Sequence, residues 1–121
     1  MAVKAVDALR DEGVTADVID LRTVKPIDEE IIFESIKKTG KILIVDTGWI
    51  TGGVCAEIGC AVAEKAFEYL KAPVRRIALP DLPHPAGFAL EQYYYPDEAR
   101  IGKVILEMIG KGVSSEMANG I

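Results

Sequence analysis

Apolar positions along the chain follow two alternating patterns, helical spacing over longer segments and short strand-like segments between them. Apolar residues recur with the period of one α-helical face at residues 2–12, 28–40, 54–70 and 96–110. Short segments that we predict to be strands occupy residues 16–21, 42–45 and 74–79, and the segment 42–45 is continuously apolar, as in a buried strand. Helices and strands alternate in this order along the whole chain. The pattern predicts an α/β fold in three α/β/α layers around a mostly parallel sheet.

Residues suited to helix ends flank the predicted helices. Gly13 and Gly40 follow the first two helices, where a left-handed residue commonly ends a helix and glycine adopts that conformation without steric cost. Asp28 is predicted to cap the second helix, because its carboxylate accepts hydrogen bonds from the free N–H groups of a helix start. Pro96 is predicted to open the last helix at its first turn, and Gly110 to stop it.

Length and composition limit the possible functions. A chain of 121 residues is long enough for one domain, which we place at residues 1–110, with residues 111–121 as a flexible tail. The formal net charge of −5, with scattered Lys and Arg residues, argues against a nucleic-acid partner. No run approaches the roughly 18 apolar residues of a membrane span. Because no secretion signal begins the chain, we expect a cytoplasmic protein without a membrane partner.

The two cysteines are predicted to be chemically inert. Cys55 and Cys60 lie five residues apart in a predicted helix. Their side chains therefore diverge by roughly 140° around the helix axis and form neither a disulfide nor a shared metal site. We interpret both as small buried hydrophobic residues rather than reactive thiols.

The stretch at residues 41–57 passes directly from an apolar strand to a glycine-rich turn and into a helix. In open α/β sheets, such loops at the carboxyl ends of strands are common binding sites. The loop from Gly48 to Gly53 is therefore a candidate anion site, although it lacks the Lys and Ser/Thr of a P-loop and a complete dinucleotide fingerprint. The other interpretation is a tight turn in which Gly52 and Gly53 permit close backbone packing. In that turn Thr51 would cap the helix.

The titratable side chains do not assemble into a recognisable catalytic set. Asp46 is interpreted as an acceptor of backbone hydrogen bonds in the turn, and Glu57 as a partner of the helix dipole or of a loop N–H, rather than as an acid and base pair. His84, the only histidine, lies between two prolines with no serine or cysteine close in sequence, so we interpret it as a loop or interface residue. We assign no catalytic, cofactor-binding or metal-binding residue.

Aromatic residues point to contacts between subunits or within the core. Trp49, on a loop, is either an interface anchor or a cover over the domain's own core. Three consecutive tyrosines precede the last helix without the basic groove of a nucleic-acid site, so core or subunit contact is the better interpretation. The candidate interface or loop residues are Asp46, Trp49, Gly52, Gly53, Glu57, His84, Tyr93, Tyr94 and Tyr95.

Several sequence runs occur together in one order and at one spacing. They are DLRTVKPID (20–28), KTGKILIVD (38–46), GGVCAEI (52–58), LKAPVRR (70–76), DLPHP (81–85) and Pro96. Together they resemble the C-terminal domain of the transketolase superfamily, and most of all the β subunit of thiamine-diphosphate-dependent 2-oxo acid dehydrogenases of the pyruvate, branched-chain and acetoin types. The resemblance covers residues 1–110 and implies a Rossmann-like sheet.

The resemblance implies a role in assembly. In that family, thiamine diphosphate and its divalent metal lie between two other domains, and the C-terminal domain packs subunits together and helps to dock the acyltransferase core. The parent reaction would be oxidative decarboxylation of a 2-oxo acid with acyl transfer to lipoamide. We therefore expect a non-catalytic subunit-assembly domain that itself binds no cofactor, in a homodimer or with the remaining domains and subunits of the dehydrogenase. The alternative is a free-standing anion or small-ligand binding module that uses the Gly48 to Gly53 loop.

The resemblance also indicates a departure at the start of the chain. Family members usually enter this domain with a strand before the first helix, whereas this chain starts within that helix. In a doubly wound sheet the strand would lie between residues 16–21 and 42–45. Unpaired backbone groups are costly when buried. We therefore expect an N-terminally truncated domain, lacking the usual first strand, whose sheet either re-pairs directly or is completed by another chain.

Overall fold

The computed structural model describes residues 1–21, 27–83, 87 and 94–110. The helices and strands of these residues are α1 (Ala2–Leu9), α2 (Glu29–Thr39), β1 (Leu43–Trp49), α3 (Val54–Lys65), β2 (Arg75–Leu79) and α4 (Glu98–Met108). Short 3₁₀ turns follow α1 at Arg10–Glu12 and α3 at Phe67–Tyr69. The tail predicted at residues 111–121 lies outside the described residues.

The two strands form a parallel pair. Leu43 lies opposite Arg75, and Val45 lies opposite Ile77. Between them the chain passes through α3, because parallel strands need a crossover connection rather than a tight turn. In the described part of the chain the sheet contains these two strands. The predicted α/β class with a parallel sheet is confirmed.

One face of the sheet is covered by α2 and α3. Ile32 and Ile36 of α2 meet Ile58 and Val62 of α3 in a buried cluster that includes Ile44 of β1. These helical residues recur at spacings of four, which places them on the inward side of each helix. The periodicity of the sequence therefore orients both helices correctly.

The opposite face of the sheet is covered by α1 and α4. Ala5 of α1, Ile101 and Val104 of α4 and Ile77 of β2 form a second buried cluster. Ala78, the next residue along β2, belongs to the cluster on the first face, as the alternation of a strand requires. The three predicted layers of helices, sheet and helices are confirmed.

Local signals in the sequence set most of the helix ends. Gly13 and Gly40 adopt the left-handed conformation, with φ of 78° and 74° respectively. The carboxylate of Asp28 accepts a hydrogen bond from the backbone N–H of Ile31 at 3.3 Å, which confirms it as the N-cap of α2.

The start of the last helix differs by one position from the prediction. Asp97 is the N-cap of α4, and its carboxylate accepts a hydrogen bond from the backbone N–H of Arg100 at 2.7 Å. Pro96 therefore precedes the cap instead of occupying the first helical turn. The cap needs an extended backbone and a side-chain acceptor, and Asp97 supplies both, with φ of −127° and ψ of 171°.

The third helix ends earlier than the predicted range 54–70. It stops at Lys65, and Ala66 leaves the helical conformation with φ of −131°. The chain then turns so that the backbone N–H of Lys71 donates to the carbonyl of Gly40 at 2.7 Å, just before β2 begins. This contact between distant residues overrides the helical spacing at residues 66–70.

The strand predicted at residues 16–21 is wrong. Residues 14–20 have no regular secondary structure, and the Ser35 hydroxyl and Lys38 ammonium donate to the carboxylate of Asp17 at 2.8 and 3.0 Å. A strand needs a neighbour for its backbone groups, and the sheet formed by the described residues ends at β1. Direct re-pairing of this segment with β1, one of the two expected arrangements, is therefore not observed in the described residues.

The buried face of α2 provides a test of this packing. Ile36→Ala is expected to lower the free energy of unfolding by about 2–5 kcal/mol, because truncating a buried isoleucine removes its contacts and leaves a cavity. Ile36 is 2% exposed, whereas Ile31 on the same helix is 46% exposed. Ile31→Ala, the matched control, is expected to change stability by no more than about 0.5 kcal/mol. Urea denaturation followed by circular dichroism measures both, and equal losses would contradict the packing.

Candidate functional site

The carboxyl ends of β1 and β2 lie together at one edge of the sheet. The backbone N–H of Ile50 donates to the carbonyl of Leu79 at 2.9 Å, which extends the strand pairing into the loop. The guanidinium of Arg76 donates to the carbonyl of Ile50 at 2.8 Å. The hydroxyl of Thr51 donates to the carboxylate of Asp81. The loop after β1 is thus tied to the residues that follow β2.

The entry into α3 is a close backbone contact. Gly53 is the N-cap of α3, and a Cβ added at this position would lie 2.1 Å from the carbonyl oxygen of Trp49. Gly52 has φ of 72°, in the left-handed region that glycine adopts most readily. This geometry agrees with the close-packing interpretation of the two glycines. The predicted cap by Thr51 is wrong, because its hydroxyl bonds to Asp81 and α3 has no side-chain cap.

Aromatic rings pack against one another beside this loop. Trp49 and Tyr94 meet edge to face, with ring centroids 6.1 Å apart. Tyr94 and Tyr95 are also perpendicular, at 5.2 Å. The hydroxyl of Tyr94 donates to the carbonyl of Leu82 at 3.1 Å. Burial, with the nearby Tyr95 and Asp81, raises the pKa of the Tyr94 phenol.

Three side chains of this group remain open to solvent. Trp49 is 46% exposed, Leu82 is 58% exposed and Tyr95 is 37% exposed, while Tyr94 beneath them is 5% exposed. We refer to Trp49, Leu82 and Tyr95 as the carboxyl-edge surface. Trp49 therefore both packs on its own domain and presents an apolar face, so the two interpretations of this residue are compatible. His84 and Tyr93 lie outside the described residues.

The remaining acidic candidates occupy separate positions, Asp46 within β1 and Glu57 in α3, so Asp46 does not lie in the turn where it was predicted. Asp46 is half-buried, and a Cβ at Gly48 would lie 3.0 Å from its Oδ2 atom. Glu57 is exposed in the first turn of α3, where the positive end of the helix dipole stabilises a carboxylate. Among the described residues, no three His, Cys, Asp or Glu side chains are grouped so that they would hold a metal ion. In the same residues, no helix is long and apolar enough to span a membrane.

The two thiols differ in burial. Cys55 is fully buried, and burial together with nearby Asp46 raises its pKa to about 11, against a smaller opposite effect of Arg76. Cys60 is exposed, and its thiol donates to Glu64 at 3.3 Å, which raises its pKa. The interpretation of Cys55 as a buried hydrophobic residue is confirmed, and that of Cys60 is wrong. Because the two side chains point in different directions around the axis of α3, Cys55 faces the core and Cys60 faces solvent.

Sequence reasoning missed two features of the site, the polar contact that fixes the loop and the place of Leu82 in the carboxyl-edge surface. The Thr51 bond to Asp81 joins residues thirty positions apart, so no local motif reveals it. Leu82 entered the sequence analysis only within the run DLPHP (81–85), yet it is the most exposed side chain of the carboxyl-edge surface. The only signal in the sequence was that the loop with Thr51 and the segment with Asp81 and Leu82 each follow a predicted strand.

The chain is similar to known proteins over most of its length. The family model for the transketolase C-terminal domain matches residues 1–101. The pyruvate dehydrogenase E1 component subunit beta of Rickettsia felis is 40% identical over 101 residues, which cover 84% of this chain and 31% of that protein. The mitochondrial subunit of the same name from Dictyostelium discoideum is 46% identical over 89 residues, covering 74% of this chain and 25% of the relative.

A second enzyme is also related. The acetoin:2,6-dichlorophenolindophenol oxidoreductase subunit beta of Bacillus subtilis is 36% identical over 110 residues, which cover 91% of this chain and 32% of that protein. The chain thus spans about a third or less of the length of these curated relatives.

The contact at Gly53 generates a stability prediction. Gly53→Ala is expected to lower the free energy of unfolding by about 1–3 kcal/mol or more, because the new methyl group overlaps backbone that cannot move as a side chain would. Gly59→Ala, within α3, is the control, since its added Cβ would be 3.7 Å from Val74, an ordinary contact. The control is expected to gain about 0.5–1 kcal/mol from helix propensity. Thermal and urea unfolding measure both, and a neutral Gly53→Ala would contradict the close approach.

Cys55 makes stability depend on alkaline pH. The folded state favours the neutral thiol of Cys55. The contribution of this thiol to the free energy of unfolding is therefore complete below the ordinary pKa of 9.0 and is lost as pH rises towards the folded-state pKa of about 11. In a Cys60→Ala background, the protein is expected to lose more stability between pH 9 and 11 than its Cys55→Ala counterpart. Urea unfolding at each pH measures the two slopes, and parallel slopes would contradict the burial of the thiol.

Proposed function

This chain belongs to the transketolase C-terminal domain family. On that premise, we propose that it is a non-catalytic subunit-assembly domain of a thiamine-diphosphate-dependent 2-oxo acid dehydrogenase β subunit. The family match agrees with the resemblance found in the sequence. The parent enzyme would oxidatively decarboxylate a 2-oxo acid and transfer the acyl group to lipoamide. The chain corresponds to about a third of the related β subunits, so the reaction would take place elsewhere in the subunit.

The observation that carries the assembly role is the presentation of Trp49. Its ring rests edge-on against the buried Tyr94, yet 46% of the residue is exposed. Large aromatic side chains held rigidly on a surface are typical anchors of protein interfaces. Leu82 and Tyr95 extend the apolar area around it. These features support the carboxyl-edge surface as the contact with a second subunit.

The described residues do not fit the divalent metal of the parent enzyme. They bring no three metal-ligating side chains together, so they offer no donor set for the ion that holds the diphosphate. Our proposal gives this domain no direct contact with thiamine diphosphate and no step of the reaction, because the family resemblance places the cofactor between two other domains.

The partners follow from the same proposal. We assign a homodimer or the remaining domains and subunits of the dehydrogenase as the direct partners, with the acyltransferase core as a further one, in a cytoplasmic location. The alternative anion site in the Gly48 to Gly53 loop is less well supported. Thr51, the hydroxyl nearest the start of α3, already donates to the Asp81 carboxylate, whose negative charge opposes a bound anion.

Removing the anchor tests the assembly role. Trp49→Ala is expected to weaken self-association of the chain by about thirtyfold, the effect of losing about 2 kcal/mol at an interface hot spot. Size-exclusion chromatography with light scattering, over a range of protein concentrations, measures the dissociation constant. Circular dichroism checks that the variant remains folded.

Phe67→Ala is the matched control. Phe67 is 72% exposed and follows the C-terminal end of α3, so it lies at the opposite end of a helix about 18 Å long. Its loss is expected to leave self-association unchanged. Equal effects of the two variants would overturn the assembly role of Trp49. A wild-type chain that stays monomeric at high concentration would overturn the homodimer and leave the remaining domains and subunits of the dehydrogenase as the partners. Turnover of a 2-oxo acid by the isolated chain with thiamine diphosphate would overturn its non-catalytic nature.

A further inference from the structure

Two aromatic side chains are exposed at the end of the sheet opposite the carboxyl-edge surface. The short 3₁₀ turn after α3 carries Phe67, which is 72% exposed, and Tyr69, which is 37% exposed. Among the large apolar residues that the structure describes as exposed, Phe67 has the highest exposed fraction. Leu70, directly after the turn, packs against the buried cluster of α2 and α3, whereas Phe67 is not part of that packing. Burial in the domain's own core therefore does not explain the ring of Phe67.

Backbone hydrogen bonds hold this turn against the end of α2. The N–H of Leu70 donates to the carbonyl of Phe67 at 3.1 Å. The N–H of Lys71 donates to the carbonyl of Gly40, the residue that ends α2, at 2.7 Å. Because an ordered backbone carries the two rings, little conformational entropy is lost when another surface covers them.

Two lysines border the rings. The ammonium of Lys37, in the last turn of α2, lies 5.2 Å from the centroid of the Tyr69 ring, within the range of a cation–π interaction. The stem of Lys71 lies over Gly40, since a Cβ added to Gly40 would be 2.7 Å from the Lys71 Cδ atom. Both lysines are exposed. Among the described residues, no carboxylate forms an ion pair with either of them. We refer to Lys37, Phe67, Tyr69 and Lys71 as the amino-edge surface, because the chain enters β2 here.

Stabilisation of α2 explains only part of this arrangement. Lysines near the C-terminal end of a helix offset the negative end of the helix dipole. This role accounts for Lys37 and for Lys38, whose ammonium also pairs with Asp17 at 2.9 Å. It does not account for the exposed rings beside the charges. An aromatic centre bordered by charged groups is instead the arrangement of a protein interface with a polar rim.

The charges around the rings indicate which kind of partner fits. Three exposed carboxylates, those of Glu34, Glu64 and Glu68, lie within about one helical turn of the amino-edge surface along the chain. A uniformly anionic surface, such as a lipid bilayer or a nucleic-acid backbone, would place negative charge against these carboxylates as well as against the lysines. A polypeptide can instead place its own carboxylates beside the lysines alone. The mixed charges therefore favour a protein partner over a membrane.

We propose that the amino-edge surface binds an acidic segment of a partner protein. An apolar side chain of the segment covers Phe67 and Tyr69, and its carboxylates pair with the ammonium groups of Lys37 and Lys71. The occupant is not a second copy of this chain, because a symmetric dimer through this surface would bring the lysines of both copies together. This surface lies at the other end of the strands from the carboxyl-edge surface, so its use goes beyond the proposed assembly role.

A peptide titration of the full chain tests the proposal. The probe is a capped peptide in which two adjacent leucines are flanked on both sides by glutamates, added to the isotopically labelled protein. Saturable shifts of backbone amide signals are expected at residues 67–71 and at Lys37, and none at Trp49. Binding is expected to weaken as salt is added, because salt screens exposed charges. The same peptide with glutamine in place of glutamate is expected to bind about tenfold more weakly, the effect of losing two exposed charge pairs.

Two variants separate the roles of the ring and the charge. Phe67→Ala is expected to weaken peptide binding at least about tenfold, whereas Ile31→Ala, at an exposed position in the first turn of α2, is its matched control and is expected to have no effect. Lys71→Met keeps a stem over Gly40 but removes the charge, and is expected to weaken binding about threefold. Lys4→Met makes the same change at an exposed position of α1 and is expected to leave binding unchanged. Circular dichroism checks that each variant is folded.

Several results would overturn the proposal. One is the absence of shifts at residues 67–71 at millimolar peptide, and another is equal binding of the glutamine peptide. Binding of the chain to phosphatidylserine vesicles that Phe67→Ala abolishes would make a membrane the occupant. Self-association that Phe67→Ala abolishes in light scattering would make a second copy the occupant. These readouts do not involve Trp49, so a failure of the proposed assembly role is distinguishable from a failure here.

Discussion

The parallel pairing of β1 with β2 is the constraint on which the rest of the structure depends. Parallel strands cannot be joined by a tight turn, so the chain must leave the carboxyl end of β1, cross one face and return. α3 makes that crossing, and it starts close to β1 because Gly53 has no side chain to collide with the Trp49 carbonyl. In the described part of the chain, α2 and α3 bury one face of the sheet and α1 and α4 bury the other, so Ile44 and Ile77 belong to opposite clusters.

The candidate site is a consequence of the same pairing. Because both strands run in one direction, the segments that follow them meet at one edge, where Thr51 reaches Asp81 and Trp49 reaches Tyr94. The polar contact fixes the loop, and the buried tyrosine supports the tryptophan. An apolar side chain held in this way loses little conformational entropy when a partner covers it. The edge is therefore better suited to protein contact than to binding an anion.

Features determined by neighbouring residues were predictable from the sequence, and features determined by distant residues were not. Asp28 and Gly40 mark the ends of α2 through local hydrogen bonds and backbone preference. Residues 16–21 are mainly apolar, as in many strands, yet strand formation depends on a paired neighbour rather than on the segment alone. The Thr51 contact with Asp81 and the early end of α3 likewise depend on tertiary hydrogen bonds. The sequence runs placed the candidate loop at residues 48–53, whereas β1 extends to Trp49 and only the rest of that range connects it to α3. The bonds within the loop were not predictable either.

The carboxyl-edge surface sets a physical requirement for its partner. It is an exposed aromatic group held in place by the Tyr94 ring and by the loop that the bond from Thr51 to Asp81 fixes. A folded partner suits such a surface better than a flexible peptide, because two surfaces that are already ordered meet with little rearrangement.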